Sequence, residues 1–230
     1  MSKTLLILLL ALFPLGSASA HEFWIEHGEG GFLLQRGHAD GQRLPLDKKK
    51  VVAIHCRDPK GKTVDLLPVA RFEGTRATAP GACVVISAFA DGGYYSLTPD
   101  GEKNLPKDQV PDAVRSWRSK QFAKWVDPRS PNHRQALGDE LEVVPVTDLS
   151  TVKAGDKATF RILLRGRPIA GAILSIAHKG IGESDDEGQV RVRVREGRLM
   201  TVAASLRRPI KSAHADTEVF EASLTFAVPK

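Results

Sequence analysis

The sequence predicts a mainly β protein with two antiparallel β-sandwich-like domains and one amphipathic helix near their junction. Two observations predict the β class. Short apolar runs rich in β-branched residues recur along the chain, and Gly, Pro and Asp combinations such as residues 58–61 separate them. A third observation predicts the helix, because apolar residues repeat at helical spacing in segment 108–126.

Residues 1–20 have the features of a secretory signal peptide. Lys3 provides positive charge, residues 5–15 form a short apolar run, and Ala18 and Ala20 mark a small-residue cleavage site. The apolar run is too short to span a bilayer, which takes roughly 20 residues. We therefore expect a periplasmic or secreted protein, cleaved between Ala20 and His21, with no transmembrane segment in the mature chain.

The predicted N-terminal β domain covers residues 21–137. Its strand-like runs include residues 31–34, 51–54 and 83–86. Cys56 and Cys83 lie in such runs, and an even cysteine count in an exported chain permits one disulfide. Two buried free thiols are the alternative interpretation.

A helix is predicted at about residues 108–126, with Asp108 as its N-cap. The residues that can share its apolar face are Val110, Val114, Trp117 and Trp125. Its other face carries Arg and Lys side chains, which we expect to be solvated. Residues 127–138 contain two prolines and several polar residues, so they are interpreted as a linker.

The predicted C-terminal domain covers residues 138–230. Its strand-like runs lie at residues 141–146, 158–164, 169–177, 190–194, 200–204 and 219–228. In the last run the apolar residues alternate with polar ones, which predicts one buried face formed by Phe220, Ala222, Leu224, Phe226 and Val228. Short strands at this spacing are typical of an immunoglobulin or transthyretin-like sandwich.

Charge and motifs exclude some function classes. The 33 Lys and Arg residues exceed the 27 Asp and Glu residues by only six, and they are spread along the chain. This is not the footprint of a nucleic-acid partner. No carboxylate pair, nucleophile–base set or phosphate loop is recognisable, so an enzyme is the least favoured class.

His21 is the most informative candidate residue, because cleavage after Ala20 would make it the mature N-terminus. Such a residue offers two nitrogen ligands, its imidazole and its α-amine. The amine has an ordinary pKa of about 7.7–8.0 and must lose a proton to bind a metal. Alternatively, a histidine at a cleavage site is accidental.

Several segments, in this order, resemble an exported bacterial family described as nickel-uptake substrate-specific, or NikM-like, which occurs beside metal transporters. The resembling segments are residues 21–24, 37–38, 57–62, 92–101, 103–107, 141–145, 166–172 and 220–226. The resemblance implies a divalent transition metal, nickel, cobalt or copper, as cofactor or cargo and a membrane metal transporter as partner.

The candidate metal ligands are His21, His38 and His27. Two departures from the family pattern concern them. Many relatives have proline in place of His27, and relatives often carry histidine near Leu206, so an expected third ligand is missing. His214 lies eight residues further on and could substitute for it.

The other histidines receive structural or solvated interpretations. We interpret His55 as a structural residue, and His133, His178 and His214 as solvated histidines in or near turns.

Three function hypotheses follow from these observations. The first is a periplasmic metal-binding accessory protein for nickel or cobalt uptake or for copper handling. The second is a non-catalytic β-sandwich module that binds a protein or a glycan. The third is a copper oxidase with an N-terminal histidine brace.

Overall fold

The structure is a computed structural model that describes residues 22–38 and 41–229. The predicted signal peptide and His21 lie outside these residues. The strands, in chain order, are β1 (Glu22–Gly28), β2 (Gly31–Gly37), β3 (Val51–Arg57), β4 (Thr63–Asp65), β5 (Arg71–Glu73), β6 (Arg76–Ala79), β7 (Val85–Thr98), β8 (Gly101–Lys103), β9 (Arg115–Val126), β10 (Leu141–Pro145), β11 (Lys157–Leu164), β12 (Arg167–Pro168), β13 (Ile173–Ile176), β14 (Lys179–Glu183), β15 (Gln189–Arg193), β16 (Leu199–Pro209) and β17 (Thr217–Ala227).

Helical structure in the described residues is limited to short 3-10 segments. They are Lys48–Lys50, Leu67–Val69, Lys107–Gln109 and Pro131–Arg134. No helix in this part of the chain has the length and apolar character needed to cross a membrane.

A nine-stranded sheet is the centre of the fold. Its strand order is β14-β13-β16-β17-β9-β7-β3-β4, with β8 on the end of β7. Strands β17 and β9 pair in parallel, whereas the other neighbours pair antiparallel. The large sheet therefore takes strands from both sides of the predicted boundary at residue 138.

Two smaller sheets pack against this large one and create two hydrophobic cores. Strands β1-β2-β6-β5 cover its N-terminal half, around Trp125, Ile86 and Ile54. Strands β10, β11, β12 and β15 cover its C-terminal half, around Phe160, Phe226 and Leu224. The prediction of a mainly β, sandwich-like fold is confirmed. The two sandwiches share the large sheet as their common layer.

The alternation predicted for the last strand is also confirmed. Its five apolar residues, Phe220, Ala222, Leu224, Phe226 and Val228, all belong to the C-terminal core. The two cysteines form a disulfide, Cys56–Cys83, so the alternative of two free thiols is wrong.

The helix predicted at residues 108–126 is wrong. Residues 115–126 form β9, which lies between β7 and β17 in the middle of the large sheet. Here Ala123 and Trp125 face the N-terminal core, while Phe122 and Val126 face the C-terminal core. A strand with apolar residues on both faces can show the same spacing as an amphipathic helix. Here the segment forms a strand because it pairs with a strand on each side.

The basic face of the predicted helix is solvated only in part: Arg115 is exposed, whereas Lys120 and Lys124 are buried. Lys124 is 2% exposed, and its Nζ lies 2.5 Å from Oε1 of the equally buried Glu142. Lys120 lies 2.9 Å from both Glu140 and Glu218. These two lysine side chains point into the protein, where carboxylates neutralise their charge. Such partners are needed because burying an unpaired charge is costly.

The predicted linker contains a buried histidine. His133 is 3% exposed, so its interpretation as a solvated residue is wrong. Its Nε2 accepts a hydrogen bond from the Leu149 N–H at 3.2 Å, and its Nδ1 lies 2.6 Å from the Ser130 carbonyl oxygen. A neutral ring that donates from Nδ1 satisfies both partners, so His133 fastens residues 130–134 to the C-terminal layer.

Candidate functional site

His38 follows β2 in a tight loop that begins at Gly37. Gly37 has a φ of 126°, and a Cβ there would collide with the Gln42 carbonyl, so only glycine fits. The His38 N–H donates to Gln42 O at 2.9 Å. The Arg43 guanidinium donates to the His38 carbonyl and stacks over the Trp24 ring, 4.6 Å from its centroid. The backbone of His38 is therefore fixed before any ligand binds.

His178 lies in the two-residue turn that joins β13 to β14. Ile176 pairs with Lys179, so Ala177 and His178 are the central residues of this hairpin. Their φ values are 48° and 60°, both in the left-handed region. Such turns favour Asn-Gly, because a Cβ in this region costs roughly 1–2 kcal/mol. The turn thus carries backbone strain at a residue that can bind a metal.

These two histidines meet although 140 residues separate them. The His38 Nδ1 lies 2.8 Å from the His178 Nε2, and the ring centroids are 4.4 Å apart. On the other side of His178, its Nδ1 lies 3.7 Å from Oε1 of Glu22. The 2.8 Å contact is a hydrogen bond between the two rings, in which one nitrogen donates and the other accepts.

The other sequence-predicted ligands have different positions. His21 directly precedes Glu22 but lies outside the described residues. His27 is at the far end of β1, with its ring 4.8 Å from Phe32 and 5.3 Å from Trp125. Five residues of strand separate it from Glu22, about 17 Å at the usual rise, so the structure does not bring His27 to His38.

Neither of the remaining exposed histidines lies at the pair. The His214 Nδ1 lies 3.1 Å from Asp108, and its ring contacts Tyr94 at 5.7 Å. His214 precedes the start of β17, whereas Ser223, further along that strand, contacts β1 beside the site. His55 is an exposed residue of β3.

The sequence analysis placed His178 in or near a turn, and the structure confirms this position. It missed the contact of His178 with His38, because that contact depends on where β1 and β2 lie on the large sheet.

A cavity of about 300 Å³ opens beside His178. Glu22 and Phe23 of β1 form one wall, and His178 lies on the hairpin opposite. The floor includes Glu221, whose Oε2 accepts a hydrogen bond from the Gln121 side chain at 2.8 Å. Burial raises the pKa of Glu221, an effect that this hydrogen bond partly offsets.

Within the described residues, no group of three or more His, Cys, Asp or Glu side chains is arranged to hold a metal ion. The described part of the site therefore consists of two imidazoles, an adjacent carboxylate and a cavity.

The fold and site define a β-sandwich protein with a pair of contacting histidines, one of which lines a cavity. The chain belongs to the family of the domain of unknown function DUF4198, whose match covers residues 18–198. No curated protein matches the sequence.

Proposed function

We propose that this protein binds a divalent transition metal through the His38 Nδ1 and the His178 Nε2. The observation that carries the proposal is their separation of 2.8 Å. Two nitrogen ligands at about 2.0 Å from a metal and at a right angle to each other lie about 2.8 Å apart. Tetrahedral ligands at the same bond length lie about 3.3 Å apart. The two rings are hydrogen-bonded at this distance, so the spacing itself selects no metal; copper(II) and nickel(II) are ions that accept imidazole ligands in tetragonal geometry.

Glu22 supports a metal role for the pair. Ligating histidines commonly direct their second ring nitrogen toward a carboxylate, which fixes the tautomer and the ring orientation. The side chain of Glu22 is 9% exposed and that of His178 is 29% exposed, so the carboxylate is shielded while the imidazole remains accessible.

We propose that His21 supplies the remaining nitrogens. Cleavage after Ala20 would leave its α-amine and imidazole one residue before Glu22. A two-imidazole site binds a metal weakly, and two further nitrogens would complete a tetragonal set. On this proposal the site assembles only when the signal peptide has been removed.

The biological role that we propose is a periplasmic accessory protein for nickel or cobalt uptake or for copper handling. The resemblance to the NikM-like family and the signal-peptide features support it. A membrane metal transporter is the partner that we propose on the same grounds.

Metal titration of the chain from His21 to Lys230 tests the proposal. Copper(II) and nickel(II) are titrated against a chromophoric chelator, with H38A and H178N as test variants and H55A and H27A as matched controls. We expect at least a tenfold loss of affinity in both test variants and no change in the controls. Equal affinity in all five proteins would refute metal binding by His38 and His178.

A second version of the protein isolates His21. One additional residue before His21 blocks the α-amine as a ligand but leaves both other histidines unchanged. We expect a clear loss of affinity and a weaker dependence on pH near 8, where the free amine titrates. Unchanged affinity would remove His21 from the site and leave the pair.

A copper oxidase is the second candidate function. The predicted N-terminal histidine together with a second and a third imidazole at one place favours it, since a histidine brace uses these groups. Oxygen consumption by the copper-loaded protein in the presence of a reductant separates oxidase activity from metal handling.

A further inference from the structure

A second cavity, of about 690 Å³, lies where the small sheet β1-β2-β6-β5 meets the ends of three strands of the large sheet. Both sheets contribute to the lining of this junction cavity, which includes His27, Phe32, Trp125, Leu199 and Ala227. Among the described residues, it shares no lining residue with the cavity beside His178. Cavities of this size between packed elements are the usual places for small-molecule sites.

The apolar lining of the junction cavity follows from strand alternation and from an aromatic cluster. Leu199 and Ala227 pair across β16 and β17, and they face the cavity because their neighbours in each strand face the C-terminal core. The ring of the exposed His27 lies 4.8 Å from that of Phe32 and 5.3 Å from that of Trp125, both of which are buried. Two buried rings thus hold the His27 ring in place, and this ring offers an apolar molecule a flat surface.

The backbone around the junction cavity is fixed before any ligand binds. Cys83 lines the cavity and is joined to Cys56 by the disulfide. The Val228 N–H donates to the Arg198 carbonyl at 3.1 Å, which ties the end of β17 to the residue before β16. A preformed cavity loses little conformational entropy on binding, so a small molecule can bind there.

The charged groups around the junction cavity leave one cation without a partner. Asp127 is the one acidic residue among the described residues that line it, and its carboxylate accepts two hydrogen bonds from the Arg129 guanidinium, both at 3.0 Å. Arg129 holds the pKa of Asp127 below its ordinary value, so this carboxylate is ionised and already paired. Arg198 also lines the cavity and is exposed, and its guanidinium has no hydrogen-bond or ion-pair partner among the described residues.

The unpaired guanidinium favours an anion over a cation, since the acidic group that a cation would need is occupied by Arg129. A carboxylate matches a guanidinium better than a spherical anion does, because its two oxygens accept two parallel N–H groups. The apolar lining adds a second requirement, because a free inorganic anion would leave it uncovered.

We propose that the junction cavity binds a small organic carboxylate with a flat apolar body. The body packs against the His27 ring and the apolar residues of β16 and β17, and the carboxylate accepts two hydrogen bonds from Arg198. This site needs no metal, so it goes beyond the function proposed for His38 and His178 and does not depend on it.

The compounds 1-naphthylacetate and 1-naphthylacetamide serve as probes, because they share one shape and differ in the charge of a single group. Both are titrated calorimetrically into the chain from His21 to Lys230 in the presence of EDTA, so that no metal takes part. We expect the carboxylate to bind at least tenfold more tightly than the amide, since its hydrogen bonds to Arg198 join opposite charges.

Four variants locate the site. Arg198→Gln removes the unpaired cation and should abolish the difference between the two compounds. Arg195→Gln removes the same charge at an exposed residue outside the junction cavity, so as the matched control it should preserve the difference. Ala227→Phe fills the cavity and should block both compounds. Ala82→Phe, at an exposed residue of the lining, replaces Ala227→Phe if the latter fails to fold.

Three results would overturn the proposal. Absence of binding by both compounds would mean that the junction cavity is not a site for such molecules. Equal affinity for the two compounds in the wild-type protein, or a difference that persists in Arg198→Gln, would remove the role of Arg198. Unchanged binding in the folded cavity-filling variant would place the compounds elsewhere. Metal titration is a separate measurement, so either proposal can fail while the other stands.

Discussion

Removing one partner of the buried ion pair between Lys124 and Glu142 should be among the more destabilising single changes in this protein. Both side chains are 2% exposed and their charged atoms lie 2.5 Å apart. Glu142 also accepts hydrogen bonds from the N–H groups of Leu137 at 2.7 Å and Gly138 at 3.1 Å. The pair therefore joins the central strand β9 to the chain segment that enters β10.

Replacing Lys124 with methionine leaves the Glu142 carboxylate buried without its cation. We expect Lys124→Met to reduce the free energy of unfolding by about 3–5 kcal/mol, the usual result of breaking such a pair.

Urea unfolding of the oxidised protein, followed by tryptophan fluorescence, measures this change. Glu142→Gln alone leaves the ammonium of Lys124 without its carboxylate, whereas the double variant contains neither charge of this pair. The double variant should therefore be about 2 kcal/mol more stable than the sum of the single changes predicts. Lys60→Met, at an exposed residue, is the control and should change stability by less than about 0.5 kcal/mol.

Two results would refute this reasoning. A loss below about 1 kcal/mol for Lys124→Met at pH 8 would mean that water reaches the pair. Additive single changes would mean that the two charges do not stabilise each other.

Three further predictions concern other parts of the fold. Removing the disulfide with C56A/C83A opens a loop with a sequence separation of 27 residues. It should cost about 3.5 kcal/mol, or about 7–14 °C in Tm by calorimetry. Burial raises the pKa of Asp139 to about 7, so the folded state keeps a proton that the unfolded state releases near pH 4. Stability should therefore fall by about 4 kcal/mol as pH rises from 4 to 7, and Asp139→Asn should flatten this profile in urea titrations. His178→Gly relieves the left-handed φ, so thermal unfolding should show stability equal to or above wild type while metal affinity falls at least tenfold.

Local pattern predicted most of the strands and failed at the centre of the sheet. Strands β15 and β16 alternate between buried and more exposed residues, and such alternation is visible in the sequence. Strand β9 has no solvent-facing side for most of its length, and it buries Lys120 and Lys124 with partners that follow much later in the chain. A lysine whose carboxylate partner is unknown looks like a surface residue, and this made a helix the simpler interpretation.

The candidate site was also only partly predictable, because its two histidines are distant in the sequence. Gly37 and His38 could be singled out in the sequence because a glycine and a candidate ligand are adjacent at a predicted strand end. His178 carries its own local signal, since Ala-His occupies a turn in which Asn-Gly would be more stable. A strained residue persists only where the surrounding structure holds it or where its side chain is needed. The contact with His38 indicates that the side chain of His178 is needed. A glycine at this position would improve the turn, but it would remove one of the two imidazoles that lie 2.8 Å apart. The stability of the hairpin and the affinity for metal should therefore change in opposite directions at this one residue, a result that a purely structural histidine would not give.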